Sequence, residues 1–431
     1  MRYLQGLMDF INAAPTAFHA VDQICASLAS AGYARLQEGE TWFLEPGGRY
    51  YLTRNQSSVI AFRLPRQELS HFQIVASHSD SPCFKLKPNA QRASQGCALL
   101  NVEKYGGMLM STWLDRPLSI AGRLIVEDGG ALETVLVDAG RDLALIPNVP
   151  IHFNRDANDG VKWNPQVDML PIYGTEGADY LCLLSEKVGV EPSRVAGGDL
   201  FLYNRDRATL FGAQEEFIAA PRLDDLECAY TSLEALLASR PGRHVDMLCV
   251  FDNEEVGSGS KQGADSTLLA DTLRRIAGGT GLAPQALEAA VAKSFMVSAD
   301  NAHAAHPNHP EKYDEQNRVY MNSGVVVKSS ANQKYTSDAL SIAVFESICR
   351  RAGVPTQRFA NRSDIPGGST LGNISNAHVS MNAVDIGLAQ LAMHSALETA
   401  GARDVAHMVD ALKAFFECEV MINGDGAIRI E

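Results

Sequence analysis

Much of what this chain could be is excluded by what it lacks. None of its eight cysteines (Cys25, Cys83, Cys97, Cys182, Cys228, Cys249, Cys349 and Cys418) forms a CxxC pair, and their spacing is not that of a disulfide framework. Several lie inside apolar runs, as buried free thiols do, so a reducing cytoplasm is the expected compartment. Positive charge is also scarce. The formal net charge is −14, which excludes a general binder of nucleic acid or of anionic membranes. No apolar stretch is long enough to span a bilayer. Asp9 interrupts the first apolar segment, so the N-terminus reads as amphipathic helix with a turn at Pro15 and not as a signal peptide. Internal repeats and low-complexity tracts are missing too.

What remains is an acidic enzyme-like chain. Its 431 residues suffice for two domains, or for one domain carrying a large insertion, and 46% hydrophobic residues supply a substantial core. One grammar recurs: a short apolar run of buried-strand type, followed at once by histidine or acid. FQIVA (72–76) leads to His78 and Asp80, MLCVF (247–251) to Glu254 and Glu255, and FMVSA (295–299) to Asp300. The run at 383–388 leads through AQLAMHSALE to His394. Ligands of open α/β sheets collect at the carboxyl ends of strands, so these residues are expected to share one site.

The texture changes between about 97 and 210, where strand-like stretches (118–127 and 132–138) alternate with turns, and NRDANDGVKWNP (154–165) reads as loop. Helix returns at 226–238, with Asp224 and Asp225 on its N-terminal side. Beyond it we expect strand 247–251, helices 264–276 and 284–292, strand 295–299, strands near 319–327, helix 336–351, strand 383–387 and helix 394–418. The fold class is therefore α/β, with an α/β catalytic domain (1–90 plus 211–431) interrupted by a mostly β inserted domain (91–210).

The candidates His78, Asp80, Asp224, Glu254, Glu255, Asp300 and His394 amount to two imidazoles and several carboxylates. That set suits two borderline divalent ions, Zn2+ first, with Mn2+ or Co2+ as alternatives. A carboxylate bridging two metals suits hydrolysis, and Asp224, before a helix, is the natural bridge. Asp80, two residues past His78, is placed to orient that imidazole. Of two adjacent glutamates, one can bind metal while the other takes a proton from water. Each residue also has a plainer reading: Asp224 as a helix N-cap, Asp300 as a turn residue, His394 as a helix-start residue.

The motifs FINAAPTAFHAV (10–21), ASHSDSP (76–82), PRLDDL (221–226), FDNEEVGS (251–258), SADNAHAAHPN (298–308), NQKYTSDA (332–339) and LAMHS (391–395) span nearly the whole chain. Together they resemble the aspartyl aminopeptidase family of metallo-aminopeptidases, in a bacterial form, within the clan of di-zinc exopeptidases. The resemblance implies that His78, Asp224 and Asp300 hold one metal, that Asp224, Glu255 and His394 hold the other, and that Glu254 is the general base. It implies a cis peptide at Asp224-Asp225, and a substrate pocket lined by His303, Lys328 and Tyr335, where Lys328 suits an acidic N-terminal side chain. It also puts His152 of the inserted domain into a neighbouring subunit's site, as a substrate contact or a metal contact. The assembly implied is a tetrahedral dodecamer built from dimers, with the insertion as dimerisation domain and short peptides as substrates. Asp225 stands where relatives often have Asn, and Ser79 where many have Thr. Other readings are a carboxypeptidase or deacylase of the same clan, and a non-catalytic assembly protein using the fold.

Overall fold

The computed structural model describes residues 3–431. Its centre is a nine-stranded sheet. Four parallel strands form the middle, in the order Val245–Phe251, Phe72–His78, Phe295–Ala299 and Asn382–Gly387. Ser58–Arg63 joins antiparallel on one side, followed by Arg49–Arg54 and Ala34–Arg35. On the other side Val325–Ser329 joins antiparallel and Thr356–Ala360 closes the edge.

The middle strands are uninterrupted apolar runs because both of their faces are covered. Val75, Leu248, Val250, Val297 and Val384 point into a core shared with the helices Leu4–Ala13, Ala17–Ser30, Leu223–Ala238, Ala339–Ala352 and Asp404–Glu417. Their alternates Ile74, Ala76, Met247, Cys249 and Met296 meet Leu268–Thr280, Pro284–Ala292 and Leu371–His378 on the opposite face. Both helical layers hold the strands rigidly, and the carboxyl ends of four neighbouring strands are left to carry side chains into one place.

A separate six-stranded sheet is antiparallel and runs in the order Ala131–Asp138, Leu118–Asp128, Val195–Asn204, Cys83–Ser94, Cys97–Tyr105 and Ile172–Thr175. It has its own core around Phe84, Trp113, Ile120 and Leu202, joined by Leu184 from the helix Tyr180–Lys187. A small five-stranded sheet includes Phe217–Ala220, Glu398–Gly401, Ala389–Leu391 and Ala302–His303. Among the described residues no helix is long and apolar enough to cross a membrane, and all eight cysteines are free.

Two expectations need correcting. The segment 394–418 is not one helix: residues 398–401 form a strand and the helix spans Asp404–Glu417. His394 therefore sits in a turn, where Ala392 has φ 59° and the Met393-His394 peptide is cis. Of the strands expected near 319–327 the described residues form one, Val325–Ser329. Gly324 precedes it at φ 101°, and a Cβ there would lie 2.2 Å from the carbonyl oxygen of Pro355, so the chain must turn before pairing can begin.

Candidate metal centre

His78 ends its strand with the side chain 1% exposed, and its backbone N–H donates to Asp225 Oδ2 at 3.1 Å. Its Nδ1 faces the carbonyl of Asp80 at 3.2 Å and the Asp80 carboxylate at 3.3 Å. That leaves Nε2 directed at Asp224 Oδ1, 3.5 Å away. The other oxygen of Asp224 lies 3.3 Å from His394 Nε2. One carboxylate thus stands between two imidazoles, on a backbone that is cis at Asp224-Asp225. His394 is oriented in the same way as His78, its Nδ1 lying 2.7 Å from the carbonyl of Gly107, and its Nε2 is also 3.5 Å from Glu255 Oε1.

These atoms form adjoining donor clusters. His78, Asp224, Asp225 and Asp300 each offer an atom within 4.8 Å of the others, as do Asp224, Glu255 and His394, and as do His78, Glu254 and Glu255. The strand Asn382–Gly387 approaches Asp300 so closely that a Cβ at Gly387 would lie 2.0 Å from its carbonyl oxygen. Lys328, 2% exposed, donates to the carbonyls of Asp300 and Asn301 at 2.7 and 3.2 Å and stands 3.7 Å from Asp300 Oδ2.

Charge in the cluster is unbalanced. Burial raises the pKa of Asp225, Glu255 and Asp300 above the ordinary carboxylate range, and neighbouring acids add to the rise. Burial pushes Glu254 up to about 8, opposed by His78 and reinforced by Asp300, Asp80 and Asp224. Burial would lower His78, yet the carboxylates of Asp225, Asp224 and Asp80 hold it well above the usual value. For Asp224, burial is outweighed by its contacts with His394 and His78, which hold it well below the usual range. Asp224 Oδ1, Asp225 Oδ1 and Glu255 Oε1 are buried without a hydrogen-bond partner. Buried carboxylate oxygens left unpaired are costly, and an oxygen and imidazole donor set of this kind fits divalent cations of the zinc type.

Asp80 does more than face His78. Its Oδ1 accepts the N–H of Glu254 at 3.1 Å, and its Oδ2 accepts the N–H of Glu255 at 3.2 Å and the hydroxyl of Tyr105 at 2.7 Å. Tyr105 comes from the six-stranded sheet and also accepts from Asn253 Nδ2 at 2.8 Å. Glu398 accepts the N–H of Asp224 at 3.0 Å. Sequence reading passed over Tyr105 and Glu398. Glu398 lies four residues past His394, which in the expected helix would share its face; it reaches the site instead from the start of a short strand.

His303, Lys328 and Tyr335 gather beside the cluster. The Lys328 ammonium lies 5.2 Å from the centre of the Tyr335 ring, whose hydroxyl is 3.5 Å from Asn361 Nδ2. His303 meets Phe359 edge-on at 6.3 Å and lines a cavity with Tyr313, Asn361 and Arg362. His152 belongs to none of the donor clusters. It is exposed in a loop that also exposes Val149, Ile151 and Phe153.

The profile of the aminopeptidase I zinc metalloprotease family (M18) matches residues 10–416. A probable M18 family aminopeptidase 2 of Clostridium novyi is 43% identical over 427 residues, covering 96% of this chain and 99% of that protein. Among solved structures, the one described as the Ape4 and Nbr1 complex matches with a TM-score of 0.93 at 35% identity, over 96% of this chain and 85% of that one. The S. cerevisiae mApe1 dodecamer matches with a TM-score of 0.86 at 27% identity, over 96% of each chain. This chain belongs to the M18 family of zinc-dependent aminopeptidases.

Proposed function

We propose that this chain removes N-terminal residues, Asp and Glu foremost, from short peptides, using two divalent ions. His78, Asp224 and Asp300 would hold one ion, and Asp224, Glu255 and His394 the other. The observation that carries the reading is Asp224, whose two oxygens face two imidazoles from separate donor clusters. When bound, the ions supply Lewis acidity to the attacking water and the scissile carbonyl.

The remaining work falls to the chain's own side chains. Glu254 takes a proton from the attacking water and delivers it to the leaving amine. Its carboxylate shares a donor cluster with His78 and Glu255, in place to accept that proton. Asp80 fixes the backbone of the pair by accepting both N–H groups. The Lys328 ammonium is held by two carbonyls, with Asp300 Oδ2 3.7 Å away, and its charge would draw an acidic substrate side chain entering between Tyr335 and His303.

Residues 91–210 would serve as the dimerisation domain of a tetrahedral dodecamer, with 1–90 and 211–431 as the catalytic domain. His152 would then reach a neighbouring subunit's site. Support comes from the exposed apolar loop around His152 and from the likeness to the yeast dodecamer. Eight free thiols accord with a cytoplasmic location. The test is a panel of Asp-, Glu- and Ala-anilides on chelator-stripped protein, with Zn2+, Mn2+ or Co2+ restored. Metal-dependent release, fastest for Asp and Glu, is expected. Release only of C-terminal residues or of N-acyl groups would overturn the reading.

A further inference from the structure

A second group of metal-ligating side chains lies at the opposite end of the central sheet. His71 immediately precedes the strand Phe72–His78 and His244 immediately precedes Val245–Phe251. These strands are parallel neighbours with Val245 opposite Phe72, so the two imidazoles sit side by side, their ring centres 5.4 Å apart. Seven residues separate His71 from His78, which puts this pair roughly 20 Å from the catalytic cluster. The third member, Glu419, comes from the chain entering the C-terminal hairpin, where Val420 N–H is tied to Gln73 Oε1 at 2.9 Å.

The nitrogens are sorted for ligation. His244 Nε2 lies 2.9 Å from Asp246 Oδ1, whose other oxygen accepts from Arg63 at 2.6 Å, so Nε2 carries the proton and Nδ1 faces Glu419 Oε2 at 3.4 Å. His71 Nδ1 is 2.9 Å from Ser70 Oγ. Its Nε2 is buried with no hydrogen-bond partner and points towards Glu419 Oε1, 3.8 Å away, although the residue is only 4% exposed. One atom from each residue lies within 4.8 Å of the others. Metal-bound histidines place the free ring nitrogen on a carboxylate or another polar group in this way, which fixes the tautomer.

From this geometry we infer a structural divalent-metal site made by His71, His244 and Glu419, separate from the catalytic centre. Two imidazole nitrogens and a carboxylate oxygen favour Zn2+ over harder cations such as Mg2+. The Glu419 side chain is 18% exposed along a surface groove bordered by Arg66 and Arg243, which gives an ion access and leaves room for water as a further ligand. A bound ion would clip the C-terminal hairpin to the start of two central strands and stabilise the fold by mass action.

The test uses full-length protein stripped with chelator, titrated with Zn2+, and followed by metal analysis and thermal unfolding. Wild type should hold one more ion per chain than Glu419→Gln or His71→Phe, while both variants keep their rate on an aminoacyl-anilide. Ser70→Ala, which removes only the partner of His71 Nδ1, should weaken this ion's binding by about 10–100-fold. An Asp224→Asn/His394→Ala protein should still bind one ion that raises its melting temperature, and adding Glu419→Gln should abolish both. Equal stoichiometry in wild type, Glu419→Gln and His71→Phe would overturn the site, as would a catalytic-site double variant that binds no ion.

Discussion

Glu254 and Glu255 are adjacent, yet their carboxylates meet different partners. Both reach the cluster with His78, but only Glu255 also lies against Asp224 and His394. Glu254→Gln should lower kcat by about 10²–10⁴-fold with metal content unchanged, the loss expected when a general base is removed. Glu255→Gln should lose metal as well as rate, because it removes a charged donor. Metal analysis beside single-turnover kinetics separates them, and wild-type turnover in Glu254→Gln sinks the assignment. Lys328 makes the second residue-scale case. Lys328→Met keeps the buried stem and removes the ammonium, so it should slow Asp- and Glu-anilides at least about tenfold more than Ala-anilide. Equal slowing across the panel means that Lys328 only braces the carbonyls of Asp300 and Asn301.

The strand Cys97–Tyr105 of the six-stranded sheet reaches the candidate metal centre through one hydroxyl. Tyr105→Phe leaves Asp80 Oδ2 with the Glu255 N–H alone and should cost about 10–100-fold in metal affinity or rate, with the fold intact by circular dichroism. An unchanged metal affinity and kcat would show that the contact is incidental. What could be read from sequence divides along the same line. Strands buried on both faces are written as continuous apolar runs, so the candidate site residues that follow them, His78, Glu254, Glu255, Asp300 and His394, are legible from position. Residues brought in from elsewhere carry no such mark. Tyr105 ends an antiparallel strand of another sheet, and Glu398 lies where apolar periodicity suggested a helix but a cis-containing turn and a short strand intervene. A period in the sequence reports burial, and a turn that aims a ligand need not have one.

At the scale of the whole molecule, the loop around His152 is exposed and contributes to none of the donor clusters among the described residues. Val149, Ile151 and Phe153 are 55%, 48% and 86% exposed, an apolar edge suited to a neighbour. Mixing inactive Glu254→Gln with inactive His152→Ala, after dissociation and reassembly, should restore part of the activity, because some sites then combine an intact Glu254 with another subunit's His152. Mixed assemblies that regain nothing, or full activity in a monomeric preparation, rule out a role in trans. The order of strands in the central sheet also bears on when activity can arise. Ser58–Arg63 and Phe72–His78 follow one another in the chain but never pair, because Val245–Phe251 lies between them. On the ribosome, where the N-terminal part emerges first, the first two strands wait some 170 residues for the strand that joins them. His394 arrives later still. A peptidase surrounded during synthesis by unfolded nascent chains thus stays inert until its own translation is almost complete.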